Sequence, residues 1–150
     1  MGRHPKWVTA FLSEEDLASI AHAVRQAETR TSAEVRVHLD HTCEGDALPR
    51  AIKIFERLGM HHTAEHNGVL IYISVTDHKL AVIGDAGIHE RVGEAYWRGL
   101  VDAVRDQLRQ QRSREGLLQA IAEVGEALGR HFPRRPDDVN ELPDDVSIGR

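Results

Sequence analysis

Oxygen-bearing side chains stand at the ends of three predicted strands, where a fold can bring them together. Glu34 begins an alternating strand over residues 34–40, Asn67 precedes an apolar strand, and Asp85 directly follows a third strand. Carboxylate and amide oxygens are the ligands that hard cations such as calcium and magnesium bind in proteins. Asp77, in the turn between the second and third strands, is the main rival, at the opposite edge. The pattern predicts a calcium or magnesium site with Glu34, Asn67 and Asp85 as leading ligands and Asp77 as the alternative.

The connection between two strands decides which of these residues meet. The apolar stretch that starts at Val69 and the stretch that ends at Gly84 are separated only by residues 76–79. A parallel crossover needs a dozen or more residues, so residues 69 to 84 are predicted to form an antiparallel hairpin. The hairpin places Asn67 beside Asp85. The first two strands are joined through a helix and are predicted to be parallel, which brings Glu34 to the same edge.

These edge residues also have an ordinary structural interpretation, which stays open. Asn-Gly and Gly-Asp are common in turns, and Asp85 is placed to cap the helix that follows. Other site types are less well supported. His61 and His62 lack zinc spacing because adjacent side chains point apart. Residues 84–87 do not complete a dinucleotide-binding loop, because Val82 stands where its first glycine is required.

The composition is that of a globular protein of 150 residues, with 41% hydrophobic and 29% charged residues. The net charge of −5 argues against a nucleic-acid partner, which requires a basic face. The lone Cys43 excludes an intramolecular disulfide and a CxxC motif. The N-terminus lacks the apolar run of a signal peptide, and no segment approaches the roughly 20 apolar residues of a membrane span. We therefore expect a cytoplasmic protein that does not contact membranes.

Hydrophobic periodicity predicts the order α-β-α-β-β-α-α over residues 13 to 133. Ser13 and Asp16 form a capping box for the first helix, Ser113 is expected to cap the fourth, and the third begins between Gly87 and Gly93. The first strand is expected to have one wet or half-covered face, carrying residues 34, 36, 38 and 40. The second helix has the apolar stripe Leu48, Ala51, Ile52, Phe55 and Leu58.

This order predicts a three-layer α/β/α sandwich, with a small mixed sheet, a central β-hairpin and helices on both faces. Residues 1–133 are expected to form a single α/β domain. Residues 134–150 are expected to form an acidic, Pro/Asp-rich tail that can be removed without unfolding the domain. Leu142 and Ile148 are the tail residues that can still anchor it to the domain.

Several motifs together resemble the TPM domain family, which includes the thylakoid-lumen acid phosphatase. The motifs are residues 67–71 (NGVLI), residues 82–88 (VIGDAGI), and Thr31-Ser32 followed by Glu34. The resemblance extends from Phe11 to Pro133 and is closest to the small soluble bacterial members. It implies an α/β/α sandwich, divalent-cation binding and, from the thylakoid members, phosphatase activity. The photosystem role of those members is not transferred, because this chain shows neither a signal nor an anchor.

Two functions follow from the residues and the resemblance. The first is a divalent-cation-binding domain that acts as an interaction or stress-related module, with a cation and a protein as partners. The alternative is a metal-assisted acid phosphatase acting on phosphomonoesters. Such hydrolysis needs a cation with an open position, a nucleophile or activated water, and fixed positive charge on the phosphate. The sequence offers carboxylates without a recognisable nucleophile motif, so binding is favoured and no catalytic residue is assigned.

Overall fold

The computed structural model describes residues 4–135 and 145–150. Within these ranges, the α-helices are α1 (Lys6–Thr9), α2 (Glu14–Glu28), α3 (Ala47–Arg57), α4 (Ala86–Val92), α5 (Glu94–Arg109) and α6 (Ser113–His131). A short 3-10 helix covers Met60–His62. The strands are β1 (Val35–Asp40), β2 (Val69–Ser74), β3 (Lys79–Gly84) and β4 (Ser147–Ile148). None of the helices in the described ranges is long and apolar enough to cross a membrane.

The four strands form one mixed sheet in the order β3-β2-β1-β4. β1 and β2 are parallel, and β2 pairs with β3 as an antiparallel hairpin. The hairpin over residues 69–84 and the parallel crossover are therefore as predicted. β2 lies inside the sheet, where both faces are covered, which explains its uninterrupted apolar sequence.

Helices cover both faces of the sheet, so the predicted α/β/α sandwich is confirmed. The larger core lies between one face and helices α1, α2, α4, α5 and α6, and includes Val8, Ile20, Val37, Ile71 and Leu117. The smaller core lies under α3 on the other face, with Ile54, Phe55, Leu70 and Tyr72.

Helix α3 buries two residues of the predicted stripe, Ala51 and Phe55, but not Leu48 or Ile52. Leu48 and Ile52 are 53% and 44% exposed, whereas Ala51, Ile54 and Phe55 are buried. Two apolar stripes at helical spacing overlap in this segment, one with Leu48 and Ile52 and the other with Ile54. The contacts of α3 with β2 and β3 bury the stripe that contains Ile54. Leu48 and Ile52 are consequently adjacent apolar side chains on the outer surface of α3.

Two helix boundaries also differ from the predictions. The expected third helix is two helices, α4 and α5, separated by Gly93 with φ 79° and ψ 168°. This backbone conformation is essentially restricted to glycine, so the helix ends there. Ser113 is the first residue of α6 and does not cap it; Arg112 is the N-cap and provides no side-chain hydrogen bond. The Ser13–Asp16 capping box of α2 forms as predicted.

The end of the chain returns to the sheet. β4 pairs in parallel with β1 through His38 and Leu39, and Val146 beside it is only 9% exposed. The backbone N–H of Gly149 also donates to the carbonyl of Leu39 at 2.8 Å. Of the two tail anchors considered, Ile148 thus lies in the sheet, whereas Leu142 lies outside the described residues.

Candidate functional site

The register of the sheet brings the three leading candidates to one edge. Val69 pairs with Val35 on one side and with Gly84 on the other. Glu34 immediately precedes Val35, and its carbonyl accepts a 2.9 Å hydrogen bond from Val69 N–H. On the other side, Asp85 N–H donates to the carbonyl of Gly68 at 3.0 Å. The edge predicted from the sequence is therefore present.

Asn67 is held at this edge with its amide oriented. Its side chain is buried, and Nδ2 donates to the hydroxyl of Ser32 at 3.4 Å. Its backbone N–H donates to Thr63 Oγ1 at 3.2 Å. The other amide atom, Oδ1, is buried without a hydrogen-bond partner. A buried carbonyl oxygen without a partner costs free energy, so its position calls for an explanation.

Asp85 has two carboxylate oxygens in different situations. Oδ1 accepts a 2.8 Å hydrogen bond from Ala86 N–H and so caps α4, which is the structural role considered from the sequence. Oδ2 is buried and accepts no hydrogen bond. The imidazole of His66 approaches it to 3.6 Å, outside hydrogen-bonding distance, and is 64% exposed.

The loop before β2 lies directly against the start of α4. Gly87 N–H donates to the carbonyl of His66 at 2.7 Å. A Cβ atom on residue 87 would lie 2.2 Å from the carbonyl oxygen of Glu65, so only glycine allows this approach. His66 itself adopts a left-handed conformation, with φ 52°. Gly87 therefore belongs to the architecture of the edge, because it lets the Asn67 loop reach Asp85.

Glu34 is buried at the edge, with 6% of its surface exposed. The carboxylate of Glu28 lies beside the residue that follows Glu34. Glu28 is 5% exposed, and its Oε2 accepts a 2.9 Å hydrogen bond from Val35 N–H. Burial of a carboxylate is costly unless hydrogen bonds or positive charge compensate for it. The edge thus concentrates acidic groups in a protected position.

Asp77 lies at the opposite edge, as expected from the hairpin, where Ser74 pairs with Lys79. Its Oδ2 accepts hydrogen bonds from the backbone N–H of Cys43 and from the Ser74 hydroxyl, the latter at 3.1 Å. The Cys43 N–H is the main cause that lowers the pKa of Asp77. Lys79 Nζ fixes the same loop through the carbonyls of Cys43 and Gly45, both at 2.6 Å. Asp77 thus fastens the loop after β1 to the hairpin turn.

Among residues 4–135 and 145–150, no group of three or more His, Cys, Asp and Glu side chains is arranged to hold a metal ion. The candidate edge offers the carboxylates of Glu34 and Asp85 and the amide of Asn67, and backbone carbonyls or water are expected to complete the coordination of a cation.

Comparison with known proteins places this architecture in a family. A model of the TPM domain matches residues 8–127. The chain belongs to the TPM domain family. The NMR structure of BA42 protein from the psychrophilic bacterium Bizionia argentinensis is 40% identical to this TPM domain, with a TM-score of 0.85. The match covers 93% of this chain and 96% of BA42. No curated protein matches the chain.

This TPM domain also contains a buried charged cluster that the sequence did not predict. Asp40 is fully buried, and Arg50 of α3 donates to it from Nε at 2.7 Å and from Nη2 at 3.3 Å. Tyr72 donates its hydroxyl to Oδ2 at 2.7 Å, and His38 Nε2 lies 2.9 Å from Oδ1. The backbone N–H of Arg150 donates to Oδ1 at 3.1 Å. Asp40 therefore joins β1, β2, α3 and the segment that follows β4.

The charges of this cluster follow from its contacts. Hydrogen bonds from Arg50, Tyr72 and His38 outweigh the desolvation of Asp40 and lower its pKa to about 2. Burial lowers the pKa of His38 below 6.5, despite the carboxylate beside it. Burial and the Asp40 carboxylate raise the pKa of Tyr72 above its usual value. The cluster accordingly holds an ionised Asp40 with Arg50 as its counterion and a neutral imidazole.

The expected wet or half-covered face of β1 is wrong at this cluster. His38 and Asp40 are 3% and 0% exposed, because α3 and the C-terminal segment cover them. In the sequence, the cluster is visible only as two polar residues, His38 and Asp40, at alternate positions of a strand. Such a pair does not indicate whether its hydrogen-bond partner is water or an arginine.

Proposed function

We propose that this TPM domain binds a calcium or magnesium ion at the edge formed by Glu34, Asn67 and Asp85, and that it acts as a cation-dependent binding module. The observation that carries the proposal is a pair of buried oxygens, Asn67 Oδ1 and Asp85 Oδ2, which have no hydrogen-bond partner. Asn67 precedes β2, which pairs with the strand that follows Glu34, and Asp85 follows β3, which pairs with the other side of β2.

A cation explains these oxygens better than a turn or a cap does. Capping of α4 uses only Oδ1 of Asp85, and the packing of Asn67 uses its N–H groups. Each residue therefore keeps one oxygen that its structural role does not need. Oxygen atoms from carboxylate and amide groups fit hard cations and fit zinc or copper less well.

The ion would add a link between three segments that already meet through hydrogen bonds. These are the start of β1, the loop before β2 and the N-terminus of α4. Binding to the folded state stabilises it by mass action, so the ion is expected to raise the melting temperature. A module of this kind offers a partner protein a surface that depends on the concentration of the cation.

The phosphatase alternative is less favoured because it requires a positively charged side chain that can contact the phosphate near the cation, and the arginine at this edge is already ion-paired. At this edge Arg135 is ion-paired with Glu65 at 2.6 Å, and Glu65 also accepts from Ser32. A phosphomonoester would have to displace this pairing. We therefore propose binding, with the interaction or stress-related role, as the function of the edge.

Isothermal titration calorimetry with CaCl₂ and with MgCl₂ tests the proposal. Asp85→Asn keeps an oxygen that can cap Ala86 and removes the charge, so it should weaken binding at least about tenfold, equivalent to about 1.4 kcal/mol. Asp77→Asn is the matched control and should bind as the wild type does. Circular dichroism should show that both variants are folded.

Three results would overturn the proposal. The first is that the wild-type protein takes up neither ion at millimolar concentration, which would leave the edge residues with turn and cap roles only. The second is that Asp85→Asn binds with unchanged affinity. Loss of binding in Asp77→Asn alone would place the ion at the opposite edge.

A further inference from the structure

A second concave site lies at the other end of the sheet from the proposed cation edge. It is a cleft of about 910 Å³ between α1, the end of β2, the hairpin turn and the C-terminal half of α5. In open α/β sheets, ligands bind outside the carboxyl ends of the strands, and this cleft opens beside the carboxyl end of β2. Its volume is in the range of small-molecule sites, roughly 300–1,000 Å³.

Apolar side chains line three sides of this cleft, together with polar residues of the hairpin turn and of the segment around the end of α5. Trp7 and Phe11 line one side, Val75 and Leu80 the sheet side, and Leu108 the side of α5. Trp7, Phe11, Val75 and Leu108 are only partly buried against the main core, so they retain apolar surface at the cleft. The ring of Trp7 stacks on His41, with centroids 5.0 Å apart and an interplanar angle of 7°, which fixes its orientation.

The charged residues at the rim of this cleft are all basic. Arg105 and Arg109 lie one turn apart on α5, and His78 lies in the hairpin turn. None of its lining residues within the described part of the chain is acidic, although the whole protein carries a net charge of −5. Two guanidinium groups beside a cleft whose described lining residues include no carboxylate favour an anionic ligand.

The two arginines are available to such a ligand. Their carboxylate neighbours, Asp102 and Asp106, lie on the same helix at 3.5 and 3.9 Å and are 66% and 71% exposed. Exposed pairs of this kind are weak and are readily exchanged for another anion. The planar guanidinium group suits a carboxylate, because it can donate two parallel hydrogen bonds.

We propose that this cleft binds a small amphipathic carboxylate of the medium-chain fatty-acid class. The aliphatic chain lies against Trp7, Phe11 and Leu108, and the carboxylate is held by Arg105 and Arg109. Burial of the chain supplies the affinity, and the arginines select an anionic head over a neutral or cationic one. This site is independent of the proposed cation edge.

Decanoate, below the concentration at which it aggregates and in the presence of EDTA, is the probe for this site. Titration should be followed by tryptophan fluorescence and by calorimetry. Trp7 lines the cleft, whereas Trp97 is 8% exposed and donates to His89 at 3.0 Å. The fluorescence response should therefore occur in the wild type and disappear in Trp7→Phe, while calorimetry still detects binding.

The head-group requirement is tested with ligands and with variants. Decanol and decylamine should bind at least about tenfold more weakly than decanoate. The double variant Arg105→Gln/Arg109→Gln should lose decanoate affinity by at least about tenfold. Arg98→Gln, an exposed change on the same helix, is the matched control and should keep it. Asp85→Asn should also keep it, which separates this site from the cation edge.

The proposal is wrong if decanoate does not bind, or if decanol binds equally well. It is also wrong if the double arginine variant retains wild-type affinity, or if binding measured by calorimetry leaves the Trp7 fluorescence unchanged. In the last two cases the ligand would occupy another part of the surface.

Discussion

The substitution Asp40→Asn should destabilise this TPM domain more than any surface carboxylate change. Five hydrogen-bond donors converge on the two oxygens of Asp40: Arg50 Nε and Nη2, Tyr72 OH, His38 Nε2 and Arg150 N. Asparagine has the same size but presents one oxygen and an NH₂ group. Part of the cluster would then face a donor in place of an acceptor, and Arg50 would lose its counterion.

The size of the effect can be worked out from the pKa and from the donors. Lowering the pKa of Asp40 from 3.8 to about 2 corresponds to about 2 kcal/mol of stability at neutral pH. A buried donor left without an acceptor adds about 1–3 kcal/mol. The sum, about 3–5 kcal/mol, agrees with the effect of removing one partner of a buried ion pair. In a domain of this length it corresponds to a fall of roughly 10 °C in melting temperature.

Urea denaturation at pH 7, followed by circular dichroism, measures this difference in the free energy of unfolding. Asp106→Asn, at a side chain that is 71% exposed, is the control and should change stability by less than about 0.5 kcal/mol. The difference between wild type and Asp40→Asn should be nearly constant above about pH 5. The carboxylate contribution is present above the unfolded pKa of 3.8 and is lost as pH falls through the folded pKa of about 2.

Two results would refute this reasoning. The first is a free energy of unfolding for Asp40→Asn within about 0.5 kcal/mol of the wild type at pH 7, which would mean that water compensates the donors. The second is a difference that persists unchanged at the lowest pH at which both proteins fold, which would mean that the charge of Asp40 does not matter.

Three other predictions follow from contacts described above or from neighbouring ones. Gly84→Ala should lower stability by about 1–3 kcal/mol and shift Trp97 fluorescence, because the added Cβ would lie 2.2 Å from the Trp97 ring; an unchanged melting temperature and spectrum would contradict this. Ser13→Ala should cost about 1 kcal/mol in urea denaturation, since the hydroxyl accepts from Asp16 N–H at 2.9 Å, and Thr at this position should restore it. Burial keeps His38 neutral in the folded state, whereas in the unfolded chain it takes up a proton as pH falls below 6.5, so the free energy of unfolding should decrease in that range. His38→Gln should remove this part of the pH dependence, and an identical pH profile would count against it.

Most of the architecture could be predicted from local patterns in the sequence. Strand alternation, apolar helix periodicity and a connector too short for a crossover predicted the sandwich, the hairpin and the edge with Glu34, Asn67 and Asp85. These patterns work because each depends on residues close together in the chain. Gly59, just after α3, is an example: its φ of 74° is the left-handed conformation in which a glycine commonly ends a helix.

The differences arise where partners are distant in the chain. The stripe on α3 was ambiguous because only contact with the sheet decides between Ile52 and Ile54. The Asp40 cluster could not be predicted because Arg50 and Arg150 come from two other segments of the chain. The oxygens of Asn67 and Asp85 could be placed at an edge from the sequence, but their lack of hydrogen bonds is visible only in three dimensions.

The docking of β4 on β1 has a consequence for the order of folding. His38 and Ser147 are 109 residues apart, and their side chains lie 2.9 Å apart in the folded protein. Bringing together residues so far apart in the chain has a high entropic cost, and pairing a two-residue strand adds little stabilisation. This contact should therefore form after the main folding barrier. Gly149→Ala, whose Cβ would lie 2.1 Å from Asp40 Oδ1, should therefore accelerate unfolding and leave the refolding rate nearly unchanged. The strand β4 would then dock late in folding and set the lifetime of the folded molecule, and not the rate at which it forms.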